Sequence, residues 1–61
     1  MTLDAVIENL NHTIDGKLKL HKELVSANSA ISNVVAKFLE INIWELKTIL
    51  GDLNTLKEEK Q

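Results

Sequence analysis

The side chains of this 61-residue chain that could hold a metal or drive acyl transfer are two histidines, a short run of serines and nine carboxylates. His12 and His21 stand nine positions apart. A helical metal pair needs ligands three or four apart, so that both imidazoles leave one face. The chain has no Cys, which removes thiolate zinc sites and disulfides alike. Ser26, Ser29 and Ser32 recur every third residue. On a helix that spacing makes a small-residue face for close approach of another helix. No His–acid pair stands beside them to activate a hydroxyl. The two glycines, Gly16 and Gly51, are too far apart to form a phosphate-cradling loop. No catalytic, cofactor-binding or metal-ligating residue is therefore assigned, no cofactor is expected, and an enzyme is not expected.

Charge narrows the partner class. The net charge is −2, and every cation is Lys. Nucleic-acid binders carry a basic footprint, usually with Arg, whose planar fork reads phosphate and guanine edges. Lys17, Lys19 and Lys22 form the only basic cluster. A nucleic-acid-associated regulator using that cluster is the alternative function. One Trp and one Phe leave little for base stacking. No apolar run approaches the roughly 20 residues of a membrane span, and no basic patch leads into an apolar run as in a secretory signal. The expectation is a soluble, cytoplasmic protein that does not engage membranes.

Those residues must sit on helices. Pro is absent and Gly occurs only twice, too few turn residues for an all-β chain. An apolar seam with alternating spacings of three and four starts at Leu3. One column holds Ile7, Ile14, His21, Asn28 and Val35. The other holds Leu3, Leu10, Lys17, Leu24, Ile31 and Phe38. That is the stripe of a helix that meets another helix. The phase runs through Asp15-Gly16 and through Ser26–Ser29, then fails at Asn42 and Glu45. A new stripe follows at Leu46, Ile49 or Leu50, Leu53 and Leu56. Asn42 and Glu45 have the spacing of a capping box, with Ile41 and Leu46 placed as a hydrophobic staple. Thr2 is the expected cap of the first helix, with Asp4 near the positive end of its dipole. The sequence thus predicts a single all-α domain over 1–61. It is a helical hairpin with a long helix over about 3–40, a turn at 41–42 and a shorter helix over about 43–58. A hairpin turning at Ser26–Ser29 is the structural rival.

A chain this small leaves much of its apolar surface wet. With disulfides excluded, oligomerisation is the remaining device. The hairpins are expected to pair as a homodimer, part four-helix bundle and part coiled coil. Leu3, Ile7, Leu10, Ile14, His21, Leu24, Asn28, Ile31, Val35 and Phe38 are the expected self-association residues. His21 and Asn28 are polar in an otherwise Ile and Val column, the pattern of a device that fixes register. Ile41, Ile43 and Trp44 exceed what one stripe can bury and form the candidate patch for another protein, although Trp44 by itself reads first as a clamp packing the turn against the long helix.

The stretch Leu50-Gly51-Asp52-Leu53-Asn54 lacks the serine, glutamine and paired acids of the small helical-hairpin aspartyl-phosphate phosphatases, which sets the chain apart from them. In length, in its opening Met1-Thr2-Leu3-Asp4 and in its Leu, Lys, Glu and Asn content, the chain resembles the accessory proteins encoded in early operons of lambdoid temperate phages. That resemblance rests on no motif. It implies a non-enzymatic helical regulatory protein acting on a host protein.

Overall fold

The computed structural model describes residues 2–59. Helix α1 spans Leu3–Ala27 and helix α2 spans Ala30–Glu59. They pack against each other as a hairpin. No strand occurs among the described residues. At about 1.5 Å per residue, the longer helix is roughly 45 Å long, which matches the 47 × 15 × 14 Å extents of the molecule. The fold is a two-helix rod.

Thr2 caps α1 as its residue type dictates. Its backbone is extended, its Oγ1 accepts from the Ala5 N–H at 3.1 Å, and Asp4 lies in the first turn. The other end of α1 corrects the sequence expectation. The chain turns at 28–29, and residues 41–42 lie inside α2. The two helices are therefore of similar length, at 25 and 30 residues, instead of one long and one short. Asn28 takes the left-handed conformation (φ 48°, ψ 44°), and its N–H donates to the Val25 carbonyl at 3.1 Å. Asn is one of the few residues with a Cβ that tolerates this geometry. Ser29 then caps α2. Its Oγ accepts from the Ser32 N–H at 3.0 Å, while the Ser29 N–H donates to the Ser32 Oγ at 2.9 Å. This is a reciprocal capping box built from two serines. Asn28 is thus a turn former and does not act as a register device within a seam.

The two-residue turn resets the phase. The face of α2 turned toward α1 is Ser32, Ala36, Leu39, Ile43, Leu46, Leu50, Leu53 and Lys57, all buried or half-buried. Their spacing alternates four and three without a break, so α2 needs no interruption at Asn42. The facing residues of α1 are Leu3, Ile7, Leu10, Ile14, Lys17, His21 and Leu24, again all buried or half-buried. Asp4 Oδ1 to Lys57 Nζ (2.7 Å) and His21 Nε2 to Glu40 Oε2 (3.4 Å) join the helices at two levels along the rod.

The core between the helices is thin. Ile14, Ala36 and Ile43 are its buried apolar residues, with Ser32 buried beside the turn. Small side chains at 32 and 36 bring the helices close where they join. The radius of gyration is 14.3 Å, against about 10.5 Å for a compact chain of this length. The accessible surface is 4702 Å², against about 4000 Å² for a folded monomer of this mass.

Candidate interaction surface

A helix advances about 100° per residue, so Ile31, Val34, Val35, Phe38 and Ile41 share a side of α2. All five are exposed, with Ile31 at 79% and Phe38 at 69%. Trp44, also 69% exposed, stands at the edge of the same side. This side points away from α1, because α1 already covers Ser32, Ala36, Leu39 and Ile43. Over 31–44, α2 is therefore apolar on both its inner and its outer face. A helix apolar all round is enclosed by protein, and α2 departs from that pattern here only along exposed Asn33, Lys37 and Glu40. The outer side of α1 is the opposite case. Glu8, His12, Asp15, Lys19, Lys22, Glu23 and Ser26 are all exposed and polar.

A groove of about 480 Å³ lies beside the stripe, with Leu18, Ile41, Ile43 and Trp44 as its apolar lining. His21, Lys37, Glu40 and Lys47 supply its polar lining. The His21–Glu40 contact is exposed, with side-chain exposures of 26% and 58%. His21 therefore sits at the rim of the helix contact and is not sealed within it. His12 lies 3.9 Å from Glu8 on the outer side of α1, with both side chains wet. Among the described residues, no group of three His, Asp or Glu side chains is placed to hold a metal ion. Ser29 and Ser32 spend their hydroxyls on the cap.

Apart from Asn28 in the turn and His21 at the rim of the helix contact, the expected self-association residues fall into two sets. Leu3, Ile7, Leu10, Ile14 and Leu24 face α2 of their own chain. Ile31, Val35 and Phe38 continue the phase only in sequence; beyond the turn they lie on the outside of α2. Of the expected partner patch, Ile41 and Trp44 are exposed. Ile43 is 6% exposed and belongs to the core, because it follows Leu39 by four positions on the inner face. The sequence expectation omitted Val34, which belongs to neither three-and-four column. The signal for it was the doubled apolar pair Val34-Val35, wider than a single seam. Lys17, Lys19 and Lys22 do not share a face. Lys17 is half-buried in the inter-helix seam, while Lys19 and Lys22 lie on the wet side of α1.

No family model, curated protein or solved structure matches this chain. No helix among the described residues is long and apolar enough to cross a membrane.

Proposed function

We propose that this chain is a non-enzymatic helical interaction module that works as an obligate homodimer, a small accessory or regulatory protein directed at another protein. The observation that carries this reading is the exposed stripe Ile31, Val34, Val35, Phe38 and Ile41 on a helix already covered along its opposite face. A monomer would hold that stripe in water at the expense of the hydrophobic stabilisation that a 61-residue chain most needs. Trp44, in the groove beside the stripe, is the contact proposed for the second protein, since an exposed Trp is a frequent anchor of a binding hot spot. The compositional likeness to phage early-operon accessory proteins supports a host protein as the target.

Sedimentation equilibrium at micromolar concentration tests the dimer. The expected mass is twice the 6.9 kDa of the chain. Phe38→Glu is expected to return the mass to that of one chain while leaving helical circular dichroism in place. A sharply melting wild-type monomer at that concentration overturns the proposal.

A further inference from the structure

We propose that the groove beside Trp44 seats an acidic amphipathic helix of another protein. This rests on the reading of Trp44 as the contact for a second protein and gives that partner its chemistry.

Both helices build the groove. Leu18 and His21 of α1 form one wall, Ile43 the floor, and Ile41 and Trp44 the other wall. A cleft between two packed helices is the seat a third helix takes, its apolar residues entering and its polar residues staying wet. Ile43 is already buried, whereas Leu18 is 41% exposed, Ile41 54% and Trp44 69%. The walls are therefore still open to be covered. The groove does not coincide with the stripe. Trp44 and Lys37 lie roughly 100–120° around α2 from Phe38, so a second copy seated over Phe38 leaves them open.

Charge names the partner. The chain as a whole is acidic, at −2, yet the groove sets Lys37 and Lys47 against the single carboxylate of Glu40. That carboxylate is directed at His21 Nε2, 3.4 Å away. The ion pairs among the described residues are Glu8–His12, Glu40–His21 and Asp4–Lys57, so neither groove lysine is in one. The two lysines stand about 15 Å apart along α2, with Trp44 between them. A partner helix meets them with carboxylates about three turns apart and fills the interval with apolar side chains three or four positions apart. Nucleic acid fits less well, since the groove offers no Arg fork and one aromatic ring. An anionic membrane also fits less well, because the neighbouring line of α2 sets exposed Glu45 and Asp52 among Phe38, Ile49 and Leu56. Exposed lysines contribute little affinity each. Their part is to select acidic over basic partners, while covering Trp44 holds the complex together.

Trp44 is the only Trp of the chain, so its emission reports the groove alone. The probes are two Trp-free helical peptides of about 20 residues, long enough to span the groove. They share one Leu pattern at three-and-four spacing and carry either Glu or Lys at the flanking positions. The wild-type chain is titrated with each at low and at high salt. The Glu peptide is expected to shift Trp44 emission to the blue and to bind about tenfold tighter than the Lys peptide at low salt, with the gap narrowing at high salt. Lys37→Glu combined with Lys47→Glu, both at exposed positions, is expected to reverse that preference. Equal affinity for the two peptides, unchanged in the double variant, overturns the acidic partner and leaves Trp44 as an apolar contact. No shift with either peptide overturns the groove as a docking site, while sedimentation of the chain alone still decides the homodimer. A shift on concentrating the chain by itself, which the Glu peptide does not compete away, gives the groove to a second copy and overturns the proposal. A shift with anionic phospholipid vesicles but not with the Glu peptide assigns the groove to a lipid surface and does the same.

Discussion

Replacing Asn28 and Asn42 separately by Ala tests where the chain turns, because the two candidate positions predict opposite signs. Asn28 holds φ 48° and ψ 44°, where an ordinary Cβ clashes with the following carbonyl at roughly 1–2 kcal/mol. Asn offsets part of that strain locally and Ala does not, so Asn28→Ala is expected to destabilise by about 1 kcal/mol. The exposed 3.4 Å contact from Asn33 Nδ2 to Asn28 Oδ1 adds little. Asn28→Gly relieves the steric clash and is expected to stay within a few tenths of a kcal/mol of wild type. Asn42 lies in mid-helix and half-buried, so Asn42→Ala is expected to stabilise by about 0.5 kcal/mol through helix propensity alone. For a domain of this size, 1 kcal/mol moves the melting temperature by about 4–8 °C. The assay is thermal unfolding by circular dichroism at fixed protein concentration, since association couples to stability. A turn at 41–42 capped by Asn42 reverses both signs, because loss of that cap would destabilise by about 1 kcal/mol. A neutral or stabilising Asn28→Ala together with a destabilising Asn42→Ala refutes the hairpin geometry described here.

A Cβ placed on Gly16 or Gly51 meets nothing within 4 Å, and neither residue has positive φ. Gly16→Ala and Gly51→Ala are each expected to stabilise by about 0.5–1 kcal/mol in urea titration, and a loss at either site would reveal an unseen neighbour. Ile43→Ala, at 6% exposure, is expected to destabilise by about 2–5 kcal/mol. Ile31→Ala is expected instead to raise the dissociation constant of the proposed homodimer while leaving far-ultraviolet helicity intact, which analytical sedimentation with circular dichroism resolves. Asp4→Asn removes the 2.7 Å contact to Lys57 between side chains that are 71% and 43% exposed. The expected loss is under about 1 kcal/mol, fading further at high salt, and a larger salt-independent loss would contradict a solvent-screened pair.

The all-α hairpin class was legible in residue type, from the lack of Pro, a three-and-four seam followed from Leu3 to Phe38 and a hydroxyl cap at Thr2, although that seam puts the turn at 41–42. The turn escaped notice for a specific reason. Ile31, Val35 and Phe38 extend the phase of Leu24, yet they belong to the outside of α2. The true inner face begins at Ser32 and Ala36, which carry almost no hydrophobic signal. A two-residue turn displaced the inner phase by a single position, and the outer stripe filled the gap it left. The available clue was Asn28-Ser29 with Ser32 three residues beyond the cap. It competed with Asn42 and Glu45, which has the more familiar acid at the third position. Burial at Ile43 was missed for the same reason, because its place on the inner face shows only when counted from Ser32. The exposure of Ile31, Phe38 and Trp44 was beyond sequence alone, since periodicity marks which residues share a face and not which of two faces a neighbour covers.

The connection between the helices is only Asn28 and Ser29. Were residue 28 to relax into right-handed geometry, Leu24, Ile31, Val35 and Phe38 would fall into one line along a straight rod of roughly 86 Å. In such a rod the inner face of α1 runs into Ile31, Val35 and Phe38, while Ser32, Ala36 and Ile43 lie about 100° away from that line. The left-handed Asn28 thereby decides which side of α2 meets α1: Ser32, Ala36 and Ile43 instead of Ile31, Val35 and Phe38.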